Sequence, residues 1–203
     1  MQIQTLVGPQ QLTVGSVAQN LRSGRNGDVI VSELHGRYFE TNNSRALFAA
    51  STQAAQAVSV ALATTYTGLC LSNPIGSGVN LVLNKVGIAL SVAPAGIAPM
   101  GIMTGYNGTT NVTHTTPGTP RSQFFGAGAA GQALVDTSAT LPTAPFLNTV
   151  LMGGFTAAAL PSGNPVLIDL EGAIILPPGA YACIYALTAV TGLFSMGWEE
   201  VPA

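Results

Sequence analysis

Larger apolar residues alternate with small or polar ones in four stretches of this chain. Val58, Val60 and Leu62 alternate with Ser59, Ala61 and Ala63, and Val86, Ile88, Leu90 and Val92 alternate with Gly87, Ala89, Ser91 and Ala93. Val166, Ile168 and Leu170 alternate with Leu167, Asp169 and Glu171, and Tyr181, Cys183, Tyr185 and Leu187 alternate with Ala182, Ile184 and Ala186. A period of two sends successive side chains to opposite faces of a strand, so each stretch predicts a strand with one face toward a core. Turn signals separate them: Asn73-Pro74, Gly76-Ser77-Gly78, Asn107-Gly108, Pro117-Gly118, Ser162-Gly163-Asn164 and Pro177-Pro178-Gly179. In the last of these, Pro178 presets φ for the second turn position and Gly179 supplies the positive φ of a type II turn. Short strands, Gly/Pro turns and no alternating helices predict an all-β protein, a β-sandwich or a barrel.

Two places resist the simple pattern. Leu81 and Leu83 have the opposite parity to Val86, Ile88 and Leu90, with the switch near Asn84-Lys85. Either a bulge re-registers the strand there or both faces of its first half are buried. The Ala-rich piece from Ser44 to Ala57 suits strand or helix and has room for one short helix.

Charge changes this picture more than any motif does. The 203 residues carry six basic and eight acidic side chains, 7% charged in all, against about 25% in soluble domains. Arg22, Arg25, Asp28, Glu33, Arg37, Glu40 and Arg45 account for half of them, whereas Lys85 stands alone between Ala46 and Pro120. This step divides the sequence into an extended N-terminal arm, residues 1–45, and a sandwich body, residues 46–203. So few charges cannot clothe a free domain in the usual mixed pattern, so its surface must be neutral polar or buried by neighbours. The arm's Arg22, Arg25, Arg37, Tyr38, Phe39 and Arg45 are the expected partner contacts, because Arg and aromatic side chains are favoured at interfaces.

Other chemistries find little support. The net charge of −2 offers no field for nucleic acid. No run of about 18 apolar residues predicts a membrane helix. The start, Met1 to Gln11, shows neither a basic segment nor an apolar run, so no secretory signal is expected. Cys70 and Cys183 sit in apolar runs; their even count permits a disulfide, but with no secretory signal the favoured reading is two buried free thiols. Gly126-Ala-Gly-Ala-Ala-Gly131 matches a dinucleotide fingerprint in letters, but Asp136 follows too early and Asp169 too late to hold a ribose. His35 and His114 lack metal-ligand spacing with the cysteines, and no G-x-S-x-G elbow is present. Asn107 and Asn111 open formal glycosylation patterns that a Thr-rich chain produces by chance. No catalytic residue, cofactor or metal is expected.

The segments Glu33-Leu-His-Gly-Arg-Tyr-Phe-Glu40, Ala63-Thr-Thr-Tyr-Thr-Gly-Leu-Cys-Leu-Ser-Asn-Pro74 and Asn80-Leu-Val-Leu-Asn-Lys-Val-Gly-Ile-Ala-Leu90 resemble virion structural proteins of tailed bacteriophages. So do Leu176-Pro-Pro-Gly-Ala-Tyr181 and Trp198-Glu-Glu200. The resemblance implies a jelly-roll-like sandwich, a homotrimer, and a place on the capsid surface as a decoration or cement subunit. The partners would be further copies of the chain and the major capsid protein or other virion proteins. The alternative is a tail or fibre module that binds a receptor or glycan. An enzyme, such as a hydrolase on a β scaffold, would need a cleft joining a His or carboxylate pair.

Overall fold

Strands dominate the residues that the computed structural model describes: 36–126, 130–153 and 165–203, with two short strands before them. The chain divides into two compact units, Met1–Phe39 and Glu40–Ala203. In the first, β1 (Thr5–Leu6) and β2 (Leu21–Arg22) pair in parallel. A five-residue helix, α1 (Phe39–Asn43), leads into β3 (Leu47–Ser51) and β4 (Gln56–Val58). Then follow β5 (Thr65–Ser72), β6 (Val79–Leu90), β7 (Met100–Tyr106), β8 (Thr113–Pro117) and β9 (Arg121–Ser122). The last are β10 (Leu134–Thr140), β11 (Phe146–Met152), β12 (Val166–Leu176), β13 (Ala180–Ala186) and β14 (Val190–Pro202).

Two antiparallel sheets make the expected sandwich. The first runs β11-β7-β13-β5-β10-β8, and the second β12-β6-β14-β3-β9 with β4 also beside β14. Most connections cross from one sheet to the other, the winding of a jelly roll rather than a meander of hairpins. Leu81, Leu83, Val86, Ile88 and Leu90 of β6 and Phe194, Met196 and Trp198 of β14 face Leu69, Leu71, Ala182 and Ile184 of the first sheet across the core. Trp198 is fully buried and stacks on Phe48, ring centres 6.2 Å apart. Asn73 ties the sheets together at one end: its side-chain amide donates to the carbonyls of Val79 and Leu176.

The parity switch in β6 is a bulge. Gly197 of β14 pairs with Lys85, but the next residue, Trp198, pairs with Leu83, leaving Asn84 extra. On the other side, Asp169 of β12 pairs with Lys85 and Ile174 with Leu83. The bulge returns Leu81 and Leu83 to the core face already occupied by Val86 and Ile88. In β12 the excess chain rises through Glu171 (φ 54°) and Gly172 (φ 78°), conformations that favour glycine.

Three other expectations meet the structure differently. Val60 and Leu62 do not continue β4; both are exposed in a bend, because no strand pairs with them beyond Val58. The Ala-rich piece forms β3 and β4, since β14 offers them a full ladder, and the short helix lies before it. The Pro177–Ala180 turn closes as expected, with Ala180 N–H donating to Pro177 O and Gly179 at φ 89°. Ser162-Gly163-Asn164 lies outside the described residues.

β13 is buried on both faces. Ala180, Ala182, Ile184 and Ala186 enter the main core, while Tyr181 and Cys183 join Tyr66, Cys70, Met103, Val112, Ala139 and Leu141 in a second one. Tyr181 pairs across the ladder with Gly105, and a Cβ at Gly105 would overlap the tyrosine ring. Gly105→Ala is therefore expected to lower the unfolding free energy by about 1–3 kcal/mol, measured by urea denaturation. Gly96→Ala, whose Cβ meets nothing within 4 Å, should change it by less than about 0.5 kcal/mol. Equal effects would refute the packing of Tyr181 on Gly105.

Candidate functional site

The outer faces of the two sheets are treated in opposite ways. On the first sheet, Val112 and Leu141 from neighbouring loops close over Tyr66, Cys70, Met103, Tyr181 and Cys183, each of which has no exposed surface. Polar groups under this cover find internal partners. Tyr66 donates to Ile184 O at 2.7 Å, and Tyr181 donates to Thr143 O at 2.6 Å. Cys70 and Cys183 face each other across β5 and β13 as free thiols. Burial pushes the Cys183 thiol well up, and Cys70 beside it adds to the shift, which keeps it protonated and unreactive.

One ionisable pair sits at the margin of this second core. His114 on edge strand β8 bonds through Nδ1 to Asp136 Oδ2 at 2.5 Å; Asp136 is fully buried and His114 29% exposed. The pair joins a histidine to a carboxylate, a contact with no sign in the sequence, and His114 lines a cavity of about 240 Å³ with Ser72, Asn73 and Asn111. An oriented imidazole can act as a general base on a bound hydroxyl or thiol. Among the described residues no hydroxyl or thiol bonds to His114. The contact instead fastens β8 to β10. Sequence spacing could not reveal it, although Asp136 is the only charge in a strand whose neighbours Val135 and Ala139 are buried.

The outer face of the second sheet has no such cover. Its outward residues are Leu167, Asp169 and Ile175 on β12, Val82, Lys85, Gly87 and Ala89 on β6, and their register partners on β14 and β3. None of these side chains is buried, and Leu167 and Leu193 are 69% and 46% exposed. Around Gly87 the face holds only small or apolar residues: Ala49, Ser51, Ala89, Leu167, Leu193, Ser195 and Gly197. Lys85 and Asp169 pair across the ladder at its margin.

The expected arm contacts are placed only in part. Arg22 lies in β2 opposite Leu6, and Arg25 and His35 fall outside the described residues. Arg37 lies 5.5 Å above the ring of Tyr38, and Phe39 opens α1 with 43% of its surface exposed. Arg45 follows α1 in the left-handed region, φ 63°, where Ala46 N–H donates to Thr41 O and Arg45 N–H to Asn42 O. These two bonds close a Schellman cap, a position glycine normally holds. The guanidinium of Arg45 stacks 5.5 Å from Phe124, a partner far along the chain that composition gives no reason to expect. Asn107 and Asn111 both have structural uses: Asn107 Oδ1 accepts from Thr109 and Thr110 N–H, and Asn111 Oδ1 from Ile75 N–H.

Burial pushes the Asp136 carboxyl above its ordinary value of 3.8, and the hydrogen bond and charge of His114 pull it partly back. A raised folded pKa means that the folded state holds a proton the unfolded chain has released. The contribution of Asp136 to stability is therefore complete below the unfolded pKa and declines as pH rises toward the folded one. The thiols of Cys70 and Cys183 lie near it on β5 and β13. Asp136→Asn should flatten the fall in urea-unfolding free energy from pH 4 upward, and His114→Ala should steepen it. Parallel pH profiles for all three proteins would show that Asp136 is not the group responsible. Comparison with family models, curated proteins and solved structures returns no match, so any functional reading rests on these residues.

Proposed function

We propose that this chain is a non-enzymatic structural subunit that works by packing, with the outer face of its second sheet covered by a neighbouring copy. One observation carries the reading: the loops cover the middle of one sheet, while the other keeps an unburied face whose field around Gly87 holds no charge, with Lys85, Asp169 and Glu199 gathered to one side. Gly87, Gly197, Ala49 and Ala89 let an opposing surface approach closely with little side-chain entropy to lose. Leu167 and Leu193 stand beside a hollow lined by Gly87, Ala89 and Ser195, so knob and hollow are available on the same surface.

The area sets a limit on this contact. Five strands about 4.8 Å apart and about seven residues long give a face of roughly 500 Å², below the ~800 Å² per partner of a standard interface. A stable assembly thus needs a second contact. The arginines and aromatics Arg22, Arg25, Arg37, Tyr38, Phe39 and Arg45 are the side chains suited to provide it. Among assemblies, the resemblance to tailed-phage virion proteins supports a trimeric decoration or cement subunit that stabilises a capsid through the major capsid protein. Permanent shells favour large, weakly charged interfaces.

Light scattering on the purified full-length protein at micromolar concentration should give a trimer or larger multiple of the 20.6 kDa chain mass. Replacing Leu167 and Leu193 together by Asp should reduce that mass with little change in melting temperature, because both side chains are exposed within the single chain. A wild-type protein that stays at 20.6 kDa would overturn the proposal.

A further inference from the structure

A large groove opens beside the link between β3 and β4 and the link between β8 and β9, and it borders the bare sheet face at Ala49, Ser51 and Ser195. It has a volume of about 640 Å³. Its polar lining includes Gln53, Gln56 and Gln123, the hydroxyl of Thr137 and the guanidinium of Arg121, and Phe125 stands at its side. No carboxylate lines it. Two of these groups lack a partner. Arg121 makes no ion pair among the described residues, although it and Lys85 are the only basic side chains after Arg45. Phe125 is 83% exposed, more than any other large hydrophobic residue described.

We infer that this groove binds an acidic oligosaccharide. A sugar ring offers an apolar face for an exposed aromatic and a rim of hydroxyls for planar amides, each of which donates and accepts. Arg121 adds a fixed cation able to take a carboxylate through two parallel hydrogen bonds. One cation is too few for a nucleic-acid backbone, which is held by several phosphate contacts. An extended peptide would use backbone pairing along a strand edge, and at Ala49 that edge of β3 is already taken by Arg121 of β9. The polar lining fits hydroxyls better than a run of apolar side chains. The ring, amides and cation lie outside the patch around Gly87, although the groove borders that patch at Ala49, Ser51 and Ser195.

The experiment titrates the full-length protein, by calorimetry, with tetragalacturonic acid, with 3′-sialyllactose and with neutral maltotetraose. At least one acidic sugar should bind saturably, and about tenfold more tightly than maltotetraose, as the loss of one charge-assisted contact predicts. Phe125→Ala and Arg121→Gln should each weaken that binding about tenfold, and Arg121→Lys should restore part of it. Both residues are exposed, so melting temperatures should not move. The inference is overturned if neither acidic sugar binds, if binding is indifferent to both substitutions, or if maltotetraose binds equally well. It is also overturned if a synthetic peptide of residues 1–35 competes for the groove more tightly than either sugar, which would make it a docking slot for another copy. Loss of sugar binding with the oligomer intact, or the reverse in the Leu167 and Leu193 variant, separates this site from the assembly contact.

Discussion

A pleated sheet has two faces, and each must be wetted or covered. The first sheet meets this requirement within the chain, and β13 is where the solution is concentrated. With Ala182 and Ile184 in one core and Tyr181 and Cys183 in the other, every polar group on that strand must find its partner inside. Tyr66 and Tyr181 do so by reaching backbone carbonyls, and both lie flat over glycines, Gly68 and Gly105. The absence of side chains at those two positions makes room for the rings. Their hydroxyls then bind the strand and the Thr143 loop into a covered layer over the middle of the sheet, while edge strand β11 keeps Leu147 and Val150 exposed.

The second sheet depends on register rather than on cover. Its long strands are β12, β6 and β14, and the pairing of β6 shifts on both sides at Asn84, which is the extra residue against β14 and faces the longer excursion of β12 on the other side. Without the bulge, Leu81 and Leu83 would point outward and the core would lose two of its fully buried leucines, each worth about 1.5–3 kcal/mol of apolar burial. The same shift decides the outer face. It sets Lys85 opposite both Asp169 and Gly197, gathers the charge at one margin, and leaves Gly87, Ala89, Ser195 and Gly197 as a flat field of small residues.

Much of the fold could be read from alternation, because a buried strand face constrains every second residue strongly. The parity conflict around Asn84 was visible for the same reason, and so was the Pro178-Gly179 turn, where each residue type answers a specific φ. Legibility failed where the deciding partner is remote. Val60 and Leu62 carry the same alternation as Val58 but have no strand to pair with, and a pattern cannot report a missing neighbour. The Ala-rich segment became strand because β14 was waiting beside it. His114 and Asp136 lie 22 positions apart in sequence and meet only through the β8–β10 ladder. The groove at Arg121 and Phe125 was invisible for a similar reason, since its amides come from separate links between strands.

Scarcity of charge takes on a more definite meaning once these places are known. Beyond Arg45 the chain has seven ionisable acids and bases apart from His, Cys and Tyr: Lys85, Arg121, Asp136, Asp169, Glu171, Glu199 and Glu200. Asp136 is buried under the second core, and Glu200 is spent on the N–H groups of Gln132 and Ala133 and on the indole of Trp198. Lys85 and Asp169 oppose one another across a ladder, where their fields largely cancel. Arg121 stands in the groove. Apart from Glu171 and Glu199, hydration of the sandwich surface falls to Thr, Ser, Asn and Gln, which hydrogen-bond water but set up little repulsion between like molecules. A surface of that kind permits close approach of a neighbour, and the small-residue field on the second sheet is where approach meets the fewest obstacles.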